Sequence, residues 1–507
     1  MPVKQDMEIN WRKKMRALLV AVNSSYVHTN PAVRSLSAAS AVPFMEFNIN
    51  QDSHDILRSI LSYQAEIVAF SCYIWNIGHV LRIAEDLKKS RPGVIVIMGG
   101  PEASFCAEDM LESRYADYVV CGEAEESLKE LLGGIERGNA GNIRGVLYRE
   151  AGQLAGNGEY RLVNNMQLLP GPFSAGDRYD GNKIYYYESS RGCPFSCAYC
   201  MSGSLGGTVR EKPLDQVKRE INEFVERDVK LVKFTDRTFN ANRARAREIV
   251  RFVLKKTGNT CFHFEVALDL MDEEMLSLLR CAPEGKIQLE AGVQTTNTRT
   301  LEAVMRRMDL EKLKRNARAI LEQGNIHLHL DLIAGLPYEG LNSFRTSFND
   351  IYELYPDALQ LGFLKLLPGT GLRRKAEKYG IIYRSYAPYE VIRTNDISAE
   401  ELLFLKGVEG LLNRYYNTGR ARHGLDYLTK NQILEPFELY ERLYAFCEQE
   451  DYASRPLSAK NQFVALIEYA KKYLTATVQE AFFAALRKDY DQTKIKGQIP
   501  EELSKII

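Results

Sequence analysis

Three cysteines, Cys193, Cys197 and Cys200, fall within eight consecutive residues in the stretch Arg-Gly-Cys-Pro-Phe-Ser-Cys-Ala-Tyr-Cys. Three thiolates on one short loop suit an iron-sulfur cluster, and the chemistry follows from what is missing. Clusters that only carry electrons take four cysteine ligands, and a structural zinc site closes a tetrahedron. Here no fourth ligand stands nearby, so one iron is left open to a small molecule, and reaction is expected at that iron. A zinc knuckle is the alternative reading of the same cysteines.

A second set of chemically able residues lies further along. His263 and Glu265, then Gln288, Glu290 and Gln294, then His327, His329 and Asp331 recur with period two within apolar stretches. Period two places each group on one face of a strand, with Phe262, Phe264, Leu289, Val293, Leu328, Leu330 and Leu332 on the other. Buried parallel strands read apolar on both faces, so a polar inner face implies an interior filled by water or ligand.

The elements that must position these residues follow from length and pattern. A chain of 507 residues exceeds the roughly 250 to 300 at which one core stops growing, and three domains are expected. Lys plus Arg equals Asp plus Glu at 66 each, which removes any global basic field for nucleic acid or anionic lipid. Six further cysteines are scattered singly, a usage that suits a reducing cytoplasm better than a disulfide framework. The first residues are too polar for a signal peptide, and no apolar run reaches the roughly 18 residues of a membrane span.

Short apolar runs at 17–22, 42–47, 67–70, 94–98 and 118–120 alternate with helical stretches and predict a doubly wound parallel sheet. Ligands of such sheets sit at the carboxyl ends of the strands, where Ser71 to Asn76, Gly99-Gly100-Pro101-Glu102 and Gly122-Glu123 gather. Residues 138–182 are rich in Gly, Asn and Pro and read as a connector with short strands at 146–149 and 160–163. Alternation resumes at 183–384, with strands at 230–235, 261–267, 286–294, 327–333 and 358–366 after one preceding the cysteines. A charged helical region occupies 385–507, and 1–14 reads as a leader before a first domain at 15–137.

With its spacing and the aromatic Tyr199, the cysteine loop resembles the radical S-adenosylmethionine (SAM) superfamily. The six strands then resemble its partial (β/α)6 barrel. The resemblance implies a 4Fe-4S cluster on Cys193, Cys197 and Cys200, with SAM chelating the open iron and yielding a 5′-deoxyadenosyl radical. It also implies Tyr199 near the adenine, and Glu265, Glu290, Gln294, Arg306 and Asp331 on the ribose or methionine part. Arg307 adjoins Arg306 and leaves that register open by one. Asp236, in Thr-Asp-Arg-Thr, occupies the place of a glycine-rich motif that holds the SAM amine.

The turns Gly99-Gly100-Pro101-Glu102 and Gly122-Glu123 resemble those of the cobalamin-binding domain that precedes many radical SAM cores. The Asp-x-His-x-x-Gly signature of an axial histidine is absent, and His28 is expected to hydrogen-bond and not to ligate cobalt. By the same resemblance Ser71, Trp75 and Asn76 lie under the corrin, and Gly99, Gly100, Pro101, Glu102, Gly122 and Glu123 pass its nucleotide tail. Tyr26-Val27-His28, 232–240, 360–365, 387–391 and Tyr415-Tyr416-Asn417 together resemble a family of cobalamin-domain radical SAM proteins with a helical C-terminal domain of unassigned function.

The leading expectation is an enzyme that uses the cluster, SAM and cobalamin to methylate an unactivated carbon of a small molecule or peptide. Its electrons are expected from a flavodoxin- or ferredoxin-type donor, with no membrane or nucleic-acid partner. Rearrangement or cyclisation without methyl transfer, a methylthiotransferase-like enzyme using Cys72, Cys106 and Cys121, and a non-enzymatic cobalamin or redox sensor are the alternatives. Replacing any one of Cys193, Cys197 or Cys200 by Ala abolishes cluster retention and SAM cleavage, because this loop holds no spare ligand. Iron and sulfide analysis after anaerobic reconstitution checks it, and near-parental iron in the triple variant would refute the assignment.

Overall fold

The computed structural model describes residues 15–173, 179–204, 207–453, 456–493, 495 and 499–505, and the expected leader at 1–14 lies outside them. Five strands, β1 (Ala17–Asn23), β2 (Phe44–Asn48), β3 (Ile67–Ser71), β4 (Ile95–Gly99) and β5 (Tyr118–Val120), pair in parallel in the order β2-β1-β3-β4-β5. Their residues feed two cores, one on each face: Leu18, Val20 and Val22 point to one and Leu19 and Ala21 to the other. Burial on both faces is what a parallel sheet covered by helices demands, and it explains the unbroken apolar runs.

One expectation about the connector is corrected. A hairpin of β6 (Val146–Glu150) and β7 (Gln153–Asn157) joins the edge of β5 antiparallel and makes the sheet seven-stranded. The segment 160–163 forms no strand and touches the sheet only as a bridge between Arg161 and Gly122. Its polar flanks and the Asn157-Gly158 turn place the second strand earlier, where Gly156 lets the hairpin backbone close against Val146.

The second sheet contains β8 (Tyr185–Tyr187), β9 (Leu231–Phe234), β10 (Cys261–Glu265), β11 (Ile287–Gln294), β12 (His327–Ala334) and β13 (Ala358–Phe363). All are parallel and adjacent in chain order, and among the described residues β13 does not return to β8, so the barrel is partial and open. Outward residues meet amphipathic helices such as Leu214–Glu226, which buries Val217, Ile221 and Phe224 at helical spacing. Inward residues stack by register into polar layers. Tyr186, Lys233, His263, Gln288 and His327 form one, and Glu265, Glu290 and His329 form the next towards the carboxyl ends.

The C-terminal helices share one core with this barrel. Phe348 and Tyr352, on the outer helix Leu341–Tyr352, pack their rings against Phe437 and Tyr440 of helix Pro436–Gln449, and Tyr352 also meets Tyr416. A more specific contact covers the exposed edge of the sheet. The Asn417 amide donates to the Leu359 carbonyl and accepts from the Leu359 N–H, both at 2.9 Å, doing for β13 what a neighbouring strand would do. Asn417→Ala leaves both backbone groups of Leu359 without that partner and lowers stability by about 1–3 kcal/mol. The shift of the denaturant midpoint measures it, and a midpoint equal to the parent's rules the edge-capping role out.

Candidate active site between the barrel mouth and the N-terminal sheet

Chain geometry fixes the cysteine loop at three points. The strand Ser190–Arg191 pairs antiparallel with Arg210–Glu211 just before it. At Gly192, φ is +98° and a Cβ would run into the Thr208 carbonyl, so the turn into Cys193 requires glycine. Beyond it, the Ala198 N–H donates to the Val304 carbonyl at 2.8 Å and the Ala198 carbonyl accepts from Leu372 at 2.7 Å. None of the three cysteines is in a disulfide; Cys193 and Cys197 are buried and Cys200 is half-buried. Cys193 Sγ lies 3.5 Å from Thr238 Oγ1, and Cys197 Sγ accepts from Arg306 Nη1 at 3.7 Å.

Arg306 organises this end of the barrel. It donates to Tyr199 Oη at 3.3 Å and to the Gly292 carbonyl. Burial works against its charge, but Tyr199 and Cys197 outweigh burial and raise its pKa, while burial pushes the Tyr199 phenol up. Gly292 leaves room for the side chain of Gln294, whose φ of +75° follows a break in the β11–β12 register. The adjacent Arg307 is exposed, so the structure places Arg306, and not its neighbour, among the cluster-loop residues.

Buried polar atoms without hydrogen-bond partners mark where a ligand fits. Gln294 Oε1, Arg306 Nε, His329 Nε2 and Asp331 Oδ1 are four such atoms at the barrel mouth. His329 Nε2 and Asp331 Oδ1 stand 3.2 Å apart without hydrogen-bond alignment. Burial, reinforced by Glu290 and Glu265, raises the Asp331 pKa well above the carboxylate range, and burial also raises Glu265. Glu290 is the exception: the hydrogen bond from His263 Nε2 at 3.0 Å holds it low. An amine, sulfonium, carboxylate and ribose are the groups these donors and acceptors match, which is the chemistry of SAM.

The role expected of Asp236 is corrected. Its carboxylate is 1% exposed and accepts from the Ser189 N–H at 3.0 Å, Ser189 Oγ at 2.6 Å and Ser190 Oγ at 2.5 Å. These bonds tie both oxygens to the strand that leads into the cysteine loop, so Asp236 positions that loop, and the backbone carbonyls of the same segment are the other groups able to take the SAM amine.

At the carboxyl edge of the N-terminal sheet the expected cobalamin residues divide. Trp75 is 44% exposed, stacks on Tyr73 at 4.4 Å and donates from Nε1 to the Val22 carbonyl at 3.3 Å. Ser71 Oγ, at the end of β3, is buried without a partner. An exposed indole stacked on a half-buried Tyr73 beside an orphaned hydroxyl fits a large flat ligand with polar substituents. Asn76 has a structural duty, donating to Val22 and Ser71 carbonyls at 2.9 Å each and accepting from the Tyr73 N–H at 2.7 Å.

Two of the turn glycines expected to pass a nucleotide tail meet protein backbone on the side where a Cβ would stand. A Cβ on Gly100 (φ +104°) would lie 2.7 Å from the Cys72 carbonyl, and one on Gly122 (φ +93°) would strike the Arg161 backbone. Gly99 makes only an ordinary contact with Val120, and Pro101 opens the short helix Pro101–Phe105. Glu102 is buried and accepts from Tyr389 Oη at 2.7 Å, and Glu123 pairs with Arg210 at 2.6 Å. His28 Nδ1 meets Tyr186 Oη at 2.7 Å, tying the first loop to β8.

Sequence reasoning missed the residue that joins the two domains. Arg191, two positions before Cys193, pairs with Glu125 at 2.6 Å, Glu123 at 3.2 Å and Glu188 at 2.8 Å, in a largely buried setting. For Glu125, burial opposes the charge but Arg191 outweighs it and holds the pKa down. Adjacency to the cysteine motif was the available signal. The alternative cluster is not favoured by its thiols: Cys72 and Cys121 lie in the sheet core, where burial pushes them up to about 12 and about 11.

A partial parallel barrel with three thiols on its first loop, beside a doubly wound sheet, is similar to the fold of radical SAM proteins that carry a cobalamin-type domain. The family described as B12 binding domain matches residues 18–132, the radical SAM superfamily matches 187–351, and a protein family of unknown function, DUF4080, matches 377–507. The chain thus carries the domains that hold cobalamin, a 4Fe-4S cluster and SAM, followed by a C-terminal DUF4080 domain. It is 25% identical over 72% of its length to the cobalamin-dependent radical SAM methyltransferase TokK of Streptomyces tokunonensis. It is 27% identical over 77% to the 2-(S-pantetheinyl)-carbapenam-3-carboxylate methyltransferase of Streptantibioticus cattleyicolor. The chain spans 60% and 62% of the lengths of these two relatives. In fold it is similar to the cobalamin-dependent SAM radical enzyme OxsB, with a TM-score of 0.65, 14% identity, and coverage of 97% of this chain and 83% of that one. The methyltransferase TsrM of Kitasatospora setae, solved with cobalamin and a 4Fe-4S cluster, gives a TM-score of 0.61 at 17% identity over 73% of this chain and 81% of that one.

Behind Gln294, Glu339 accepts from Thr295 and Ser347 through one oxygen while the other has no partner, and burial pushes its pKa up to about 7. A raised carboxyl pKa gives stability that is full below the unfolded value near 4.5 and is lost as pH rises towards 7. Glu339→Gln therefore removes this decline and stabilises the protein at pH 8 by up to about 3 kcal/mol. Unfolding midpoints of both proteins at pH 5 and pH 8 measure it, and an equal decline in the variant contradicts the assignment.

Proposed function

We propose that this protein is a cobalamin-dependent radical SAM methyltransferase that acts on an unactivated carbon of a small molecule or peptide. The observation that carries the reading is a shared mouth. The thiol loop, the unpartnered atoms of Gln294, Arg306 and Asp331, and the stacked Tyr73–Trp75 pair, whose indole is exposed, meet there, and Tyr73 lies within electrostatic reach of Glu188 and Arg237 of the barrel. When bound, the cluster and SAM supply a hydrogen-abstracting radical and the corrin supplies a methyl carrier.

The chain's own residues do the rest. Cys193, Cys197 and Cys200 hold the cluster, and Tyr199 flanks it. Arg306 offers a forked donor to the SAM carboxylate, while Gln294, Glu265, Glu290 and Asp331 accept from its amine and ribose. Ser71 and Trp75 would line the corrin face, and His28 serves to tie the first loop to Tyr186 through Nδ1. Arg191 and Asp236 set the loop at a fixed distance from the sheet. We place the protein in the cytoplasm, with electrons from a flavodoxin- or ferredoxin-type donor; no described helix is long and apolar enough to cross a membrane.

Anaerobic incubation of the reconstituted enzyme with cell extract and methyl-labelled SAM tests the reading. Label in a product other than methionine supports it, and 5′-deoxyadenosine formation without transferred label supports rearrangement instead. Arg306→Ala weakens SAM binding by about 1.5–3 kcal/mol, the worth of a charged hydrogen bond, whereas Arg307→Ala leaves it unchanged. The reverse order of effects moves the role by one residue.

A further inference from the structure

We infer that the substrate is an anion, carrying a carboxylate or phosphate that Lys233 and Arg237 bind inside the barrel. This deepens the functional reading above and rests on it. Lys233 lies on the inner face of β9, in register with Tyr186 on one side and His263 on the other. It is half-buried, and its ammonium makes no hydrogen bond or ion pair among the described residues. Four positions on, Arg237 is exposed at the carboxyl end of the same strand and is likewise without a hydrogen bond or ion pair.

Neither cation has a structural duty. Buried or half-buried charges are ordinarily paired, and cations on the outer side of this barrel follow that rule: Lys212 pairs with Glu220 at 2.9 Å, and Arg247 with Asp272 and Glu274. The basic helix Arg243–Leu254 is neutralised in the same way, with Arg251 on Glu248 and Glu274. Lys233 and Arg237 stand apart from it on the ligand side of the sheet. The charge of Lys233 reaches Glu265, Glu290 and His329, and that of Arg237 reaches Glu265 and, across the domain boundary, Tyr73. The two cations therefore run from the barrel interior to the mouth where the sheet domain begins.

Their surroundings suit a polar guest. Tyr186, His263, Gln288 and His327 complete the Lys233 layer by register with hydrogen-bonding groups, and no aliphatic side chain belongs to it. Tyr186 and His263 already have partners in His28 and Glu290, and His327 is exposed, so an apolar substrate would strip water from Lys233 and Gln288 and return no partner to them. A carboxylate or phosphate answers both cations and adds acceptors for the neutral donors.

Anion-exchange fractionation of a cell extract separates the candidates. Each desalted fraction is added to the reconstituted holoenzyme, and its stimulation of 5′-deoxyadenosine formation is measured, a readout that does not require methyl transfer. Stimulation by the resin-bound fraction alone is expected; stimulation by the flow-through, or by neither, overturns the proposal. Phosphatase treatment of the active fraction distinguishes a phosphate, whose activity is lost, from a carboxylate, whose activity remains. In Lys233→Gln the stimulation falls by at least about tenfold, the worth of one charged hydrogen bond, and returns in part in Lys233→Arg. Lys230→Gln, at the exposed start of the strand, leaves it unchanged. SAM affinity of Lys233→Gln, read by equilibrium dialysis, stays within about twofold of the parent; a loss as large as that of Arg306→Ala assigns Lys233 to SAM and overturns the proposal.

Discussion

The contact on which the working geometry depends is the guanidinium of Arg191. It is bound on one side by Glu123 and Glu125, at the start of a helix of the N-terminal sheet domain, and on the other by Glu188 at the end of β8. Only Gly192 separates it from the first cysteine. A buried ion pair contributes little net stability against an apolar alternative, yet removing one member costs about 3–5 kcal/mol because the other charge is left stranded. Such a contact acts as a register pin. It sets how far the cysteine loop stands from the carboxyl edge of the first sheet, and any chemistry passing between a ligand of one domain and a ligand of the other depends on that separation.

Asp236 pins the same loop from the opposite side through Ser189 and Ser190, and Ala198 is fastened to Val304 and Leu372. The strand and loop before Cys200 are thus held by neighbours drawn from both domains, while the contacts of Cys193 with Thr238 and of Cys197 with Arg306 are long, at 3.5 and 3.7 Å. Rigidity sits in the support and freedom in the ligand atoms, which is the arrangement a preorganised site needs.

Much of this was legible in the chain because its signals are local. Apolar runs bounded by turns gave all five parallel strands of the first sheet, and period-two polarity singled out β10, β11 and β12 as lining an interior. What was not legible depends on which distant backbone a residue meets. Gly100 and Gly122 read as openings for a ligand tail, since a glycine at a strand end marks close approach without saying of what; in the fold the approaching chains are Cys72 and Arg161. Asp236 and Glu123 carry charges that look available in one dimension and are consumed in three, by serines 46 and 47 positions away and by an arginine 87 positions away. The hairpin on β5 was hidden for a related reason, since Gln153–Asn157 is stabilised by pairing with β6 and not by apolar patterning.

A comparison of satisfied and unsatisfied polar groups separates architecture from function more sharply than residue type does. Tyr187, Glu220, Lys212 and Gln216 form a buried network outside the sheet, among helices, and the groups of its four side chains find partners except for one amide oxygen. On the inside, Gln294, Arg306, His329 and Asp331 each keep an unpartnered buried atom within one region. Folding alone selects against such groups, because each forgoes a hydrogen bond to water and gains none. Four such atoms on one side of one sheet, next to the cysteine loop, are what a site that gains stability on binding its ligand would show.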